Sequence, residues 1–163
     1  MQLLFRGDMT SFTLVLQLVA VMVLGLMCGS ELNVAVFGNP TLDRQPLDVH
    51  IPMRASFASL LGRVMPFWMT GSAVMNLLLL LPFAGVSGLA WRLSAISSGI
   101  QIGAVLFSLV APVPINKRIE KWTSSSLPED WRFQEHRWGV YHWFRTCGLV
   151  VAFALLGLSL AAR

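Results

Sequence analysis

The sequence predicts an all-α integral membrane protein: a bundle of four transmembrane helices, the fourth long and carrying a polar cytoplasmic half. Three observations predict it. The 163 residues are 55% hydrophobic and only 12% charged, against about 25% charged in an ordinary soluble domain. Mean hydropathy is +0.66, more apolar surface than one water-soluble core of this size can hide. Charge-free runs recur four times at close to the length, about 20 helical residues, that crosses a hydrocarbon layer.

These numbers argue against a soluble enzyme, a disordered tail and a disulfide scaffold. Cys28 and Cys147 lie inside apolar stretches and read as small hydrophobes. The net charge of +4 and pI near 9.8 do not call for nucleic acid in so apolar a chain. Its basic residues flank spans, where they set orientation.

The whole chain, 1–163, reads as one domain. The first span is placed at about 9–30, since Met9 to Ser30 is 22 residues without a charge. It reads as a retained anchor, because the apolar region of a signal peptide stops at about 15 residues. The second span, about 64–82, begins the charge-free stretch from Val64 to Trp91 and ends on Leu77 to Leu81 and Pro82. The third is placed at 93–115 and the fourth at about 144–162. A short, Gly-containing 83–92 connection makes spans two and three a tight antiparallel hairpin. In the first long connection, Gly38-Asn39-Pro40 and Gln45-Pro46-Leu47 are turn chemistry. Met53, Phe57, Leu60 and Val64 then recur at helical spacing, so the second helix starts well before its span. In the second long connection Ser126 is placed as N-cap, with Glu129 three residues on and Asp130 in the first turn. From there the helical pattern runs to Ala162.

The 31–63 and 116–145 connections share one side of the membrane and hold nine Lys or Arg, whereas the other side has Arg6, Arg92 and Arg163. The positive-inside bias puts both long connections in the cytoplasm and both termini outside. That is the cell membrane in a bacterium or the endoplasmic reticulum in a eukaryote. The lipid bilayer is then an obligate partner. A homo-oligomer is compatible with the pattern, although no small-xxx-small stripe marks a face for it.

Two places depart from bland membrane spans. Glu31, followed by Asn33, stands at the inner end of span one. It either snorkels to water or faces a polar cavity, where desolvation would suit it to acid or base work. On the last helix Glu135, Trp138, His142 and Arg145 are spaced 3, 4 and 3 apart and share one face. That face suits a planar anion: Arg145 as charge partner, His142 as proton acceptor, Trp138 as stacking wall. An interfacial aromatic belt with basic residues gives the same pattern. His50, His136 and His142 are the only imidazoles, and no two stand at a metal-ligand spacing. A single copper or iron ion on His50, Glu31 and His142 would need tertiary contact. No motif for an organic redox cofactor occurs.

Pro114, Asn116 and Arg118 at the end of span three, then Trp138, His142 and Arg145 entering span four, make the chain resemble the anthrone oxygenase family of small membrane proteins. The resemblance implies a helical bundle that oxidises aromatic polyketide intermediates, typically anthrones to anthraquinones, without an evident flavin or haem. On that reading the partner is a hydrophobic small molecule that enters sideways from the bilayer. His142 removes a proton from a phenol or benzylic C–H, the electron-rich anion reacts with O2, and Arg145 and Asn116 stabilise its oxyanion. Trp138 flanks the ring with Tyr141 or Trp143, and Arg118 and Trp122 join the substrate-binding set. The alternatives are a metal-assisted oxidase or cyclase using Glu31, His50 and His142, and a non-catalytic membrane scaffold whose polar face meets headgroups or a partner.

Overall fold

The structure, a computed structural model, describes residues 2–162, with side chains from residue 11 onward. The side chains of Arg6 and Met9, and all of Arg163, lie outside the described residues, and with them those parts of the span and charge assignment. The chain forms α1 (Gln2–Asn33), α2 (Asn39–Asp43), α3 (Leu47–Leu78), α4 (Gly88–Val110), α5 (Pro112–Ile119) and α6 (Trp131–Ala161). Among the described residues the only β pairing is an isolated bridge between Thr123 and Ser126.

Three helical segments are long and apolar enough to cross a membrane: Ser11–Asp43, Gly88–Val110 and Trp131–Ala161. The stretch expected as the second span differs. Helix α3 ends at Leu78 and Leu79 to Leu81 enter the turn, so its charge-free helical part from Val64 is only fifteen residues. Span three also shifts. It starts at Gly88 rather than Leu93 and stops at Val110 rather than Ile115. Pro112 and Pro114 lack the amide hydrogens that would continue the ladder, so the chain bends at Ala111 (φ −111°, ψ −76°) and restarts as α5.

Two local expectations are corrected. Gly38-Asn39-Pro40 is not a turn. A π-helical segment, Val34–Gly38, leads directly into α2, and Gly38 and Asn39 are right-handed helical. Pro40 falls in the first turn of α2, where a missing amide hydrogen costs nothing. Helix α6 begins at Trp131 with Asp130, not Ser126, at the cap position. Leu127 precedes a proline and is driven away from helical torsions, and the Ser126 amide instead donates to Thr123 O at 3.1 Å. Asp130 accepts from Gln134 Nε2 at 2.8 Å.

The four long helices form a bundle in which α1 and α4 each pack against both α3 and α6. Their inward faces carry polar side chains among the apolar ones. Along α1 and the π-helical segment that continues it the buried positions include Thr13, Gln17, Ala20, Leu24, Met27, Glu31 and Val34; on α4 they include Ala90, Ser94, Ser97, Gln101, Ala104 and Ser108. Ile96, Ile102, Leu106 and Leu109 of α4 point outward and are exposed. Such an arrangement suits helices surrounded by lipid, where polar side chains glue helix to helix. Asn76 Nδ2 donates to Ser97 Oγ at 2.8 Å, which donates to Ala152 O at 2.8 Å; Ser72 donates to Gln101 at 3.0 Å. At the opposite end from the polar connections, Gly85 (φ +66°) closes the α3–α4 turn against α1. A Cβ there would lie 2.8 Å from Thr13 Oγ1.

Candidate active site

Alternating steps of four and three residues along α1 carry its buried stripe from Leu24 through Met27 to Glu31, so Glu31 falls in phase with the core. It is 1% exposed and does not snorkel. Across from it, α6 places His142 and Arg145 one turn apart, 2% and 8% exposed. Arg145 Nη2 reaches Glu31 Oε2 at 2.5 Å and His142 Nδ1 at 3.1 Å. His142 Nδ1 is itself 3.2 Å from Glu31 Oε2, and Nε2 is 3.1 Å from the Glu31 carbonyl oxygen. A carbonyl only accepts, so the ring carries its proton on Nε2, and Nδ1 is free to accept from Arg145. Arg145 Nη1 donates to Ser108 Oγ at 3.2 Å, and its buried Nε has no partner.

These groups form part of the wall of a cavity of about 100 Å³. Met65 and Met69 of α3, Val105 and Leu109 of α4 and Pro112 of α5 belong to its apolar lining. Its lining includes the exposed Gly62, Pro66, Thr70 and Leu109. The mouth therefore opens between α3 and the α4–α5 bend, beside the exposed Phe67, Leu106 and Val110. Gly62 permits the close approach: a Cβ there would lie 3.0 Å from Asn116 Nδ2.

The residues expected from sequence divide into two groups. Glu31, Asn116, Trp138, His142 and Arg145 all line the cavity. Trp138 stacks on His142 at 4.8 Å between centroids, with planes 10° apart. Asn116 is already engaged, donating to Ala58 O at 2.7 Å and tying α5 to α3. Two roles change. Arg145 is not a free cation waiting for an anion, because Glu31 neutralises it. His142 is not a base open to the cavity, because both ring nitrogens are engaged.

Tyr141, Trp143, Arg118 and Trp122 do not line this cavity. Tyr141 is half-buried, accepts from Arg137 Nη2 at 3.1 Å and meets Phe107 edge-on at 5.7 Å. Trp143 borders a separate groove, and Arg118 is exposed. Trp122 is buried in a second apolar cluster, edge-on to Trp131 at 6.3 Å. The metal set expected from sequence is also divided. His50 Nε2 pairs with Glu135 Oε1 at 3.0 Å, while Glu31 and His142 are together at the cavity.

Arg54 is a neighbour of the site outside the set expected from sequence. It lies four residues after His50 on the same helix face, a spacing that marks it. Its guanidinium stands 4.4 Å over the Trp138 ring, donates to Asn39 Oδ1 at 2.6 Å and pairs with Glu135 at 3.1 Å. Burial pushes it down from the ordinary arginine value, and Glu135 and Asp43 pull it back up. Ser108, the hydroxyl that holds Arg145, lies on α4 one turn before Pro112, and its polarity inside an apolar helix was its signal.

No curated protein and no solved structure matches the chain. The sequence profile of the family described as anthrone oxygenase matches residues 53–155. That segment holds Asn116, Trp138, His142 and Arg145, whereas Glu31 precedes it. Since it covers more than half of the sequence, the chain belongs to the anthrone oxygenase family.

Proposed function

We propose that this protein is a membrane-embedded tailoring oxygenase that takes a planar, hydrophobic, aromatic polyketide-like intermediate and oxidises an activated CH2 to a carbonyl with O2. The observation that carries this reading is the buried Glu31–His142–Arg145 cluster on the wall of an apolar cavity with a lateral mouth. A substrate dissolved in the bilayer reaches such a mouth without passing through water, which is a physical reason for the enzyme to live in lipid.

The polar groups divide the work as follows. Glu31 Oε2 is committed to Arg145 and His142, and Oε1 takes the substrate proton. His142, bonded through Nε2 to the Glu31 backbone, holds that carboxylate in place, and Arg145 stabilises the carboxylate between turnovers. The carbanion delocalises onto the substrate carbonyl oxygen. Asn116 uses one N–H on Ala58 and gives the other to that oxygen. O2 adds at carbon to form a hydroperoxide, which loses water to leave the new carbonyl; R2CH2 and O2 become R2CO and H2O. Apolar walls strengthen each of these electrostatic contacts, and Trp138, stacked on His142, fixes the orientation of the imidazole.

The same reading takes the 64–82 stretch, α3 with its Leu-rich turn, as a fourth crossing. Helix α3 packs between α1 and α4, both of which are apolar enough to span. The long connections then lie on the cytoplasmic side with the termini opposite.

Anthrone oxidation by the purified chain in detergent micelles, measured by O2 consumption above the uncatalysed background, tests the assignment. Glu31→Gln and His142→Ala are expected to lower turnover at least 100-fold while circular dichroism stays unchanged. Wild-type turnover in folded Glu31→Gln protein would overturn it.

A further inference from the structure

A second cluster lies outside the cavity lining, at the end of the bundle that carries the polar connections. Asp43, His50 and Glu135 each offer one ligand atom, and these atoms lie within 4.8 Å of one another. They come from three elements: the end of α2, the first turn of α3 and the first turns of α6.

The His50 ring defines what the cluster lacks. Nδ1 is 2.8 Å from Leu42 O, and a carbonyl can only accept, so Nδ1 carries a proton. Nε2 then faces Glu135 Oε1 at 3.0 Å. With Nδ1 carrying the proton, the Nε2 lone pair points at that oxygen, which Arg54 Nε also approaches at 3.1 Å, and a metal ion between nitrogen and oxygen would satisfy both atoms. An imidazole whose other N–H is fixed on a backbone carbonyl is the usual posture of a metal ligand. Asp43 brings a third acceptor. A groove of about 500 Å³, bordered by Asp43 and Glu135 and also by Arg54, Arg132 and His136, runs alongside and leaves room for water ligands. Arg54, 3.1 Å from Glu135 and within the field of Asp43, offsets part of the charge of the two carboxylates.

We propose that Asp43, His50 and Glu135 bind a first-row divalent metal ion of the zinc or manganese kind, through one nitrogen and two carboxylate groups. The site is independent of the cavity chemistry, since none of its three ligands lines that cavity. Its effect on the fold is to clamp α2, α3 and the polar half of α6, on which Trp138 and His142 sit.

The full chain, purified without a polyhistidine tag and stripped with a chelator, is titrated with ZnCl2 and with MnCl2 by calorimetry in detergent. One ion per chain is expected, with affinity falling at least tenfold in Asp43→Asn and in His50→Ala. Co2+ loaded in place of zinc should show ligand-field bands in the wild type that His50→Ala lacks. Asp43 is exposed, so Asp43→Asn keeps the question answerable where His50→Ala fails to fold. Absence of binding for both ions, or binding that Asp43→Asn leaves unchanged, overturns the proposal and leaves an imidazolium–carboxylate pair.

Discussion

Removing Arg145 alone should be far more damaging than removing it together with Glu31. Both side chains are withdrawn from solvent, at 9% and 1% exposure, and the Arg145 guanidinium also serves Ser108 and His142. In Arg145→Met the Glu31 carboxylate stays buried without its cation, and the cost of such a broken buried pair is about 3–5 kcal/mol. Glu31→Leu strands the guanidinium in the same way and should cost a similar amount. Replacing both with Met and Leu leaves an apolar contact between α6 and α1, where paired substitution is often close to neutral. The double variant should therefore lose less than either single variant, so the coupling is at least as large as one single loss, about 3–5 kcal/mol. Reversible unfolding in mixed detergent micelles, followed by circular dichroism for all four proteins, reads this coupling directly. Single losses below about 1 kcal/mol each, and additive, are the behaviour of a solvated surface pair. That result would refute the claim that Glu31 and Arg145 meet inside the bundle.

Two further outcomes follow from particular contacts. Gly62→Leu places a side chain where even a Cβ meets Asn116 at 3.0 Å, so it should displace the Asn116–Ala58 bond and fill the mouth. Its anthrone turnover is expected to fall at least tenfold while α-helical content is retained, and unchanged kinetics would remove this mouth as the route in. Ser97→Ala takes away both the acceptor for Asn76 and the donor to Ala152. The expected loss is about 0.6–1.7 kcal/mol, from the mean to the maximum found for hydrogen bonds between membrane helices, read as a shift in the same micellar unfolding curve.

What the sequence determined by itself was the solvent and the helices. Uninterrupted apolar runs leave backbone groups no partner but one another, so the stretches around Leu24, Ala104 and Leu149 had to be helical whatever they pack against. Spacing alone also put Trp138, His142 and Arg145 on one face, because helical periodicity is local. Helix ends were harder to place. The start of α6 and the end of α4 depend on where prolines 112, 114 and 128 withhold a donor or restrict a neighbour, and a helical pattern reads through such points. The partners of each polar group were decided only by tertiary structure. Glu31 precedes Arg145 by 114 positions, and nothing local distinguishes a carboxylate that reaches water from one that meets a guanidinium. Assembly of the bundle joins them, because a charge carried into the interior must find its opposite there, and that pairing changes Arg145 from an anion receptor into a counter-ion. The same long-range packing sends His50 to Glu135 instead of His142 and leaves Tyr141 and Trp143 away from the cavity wall.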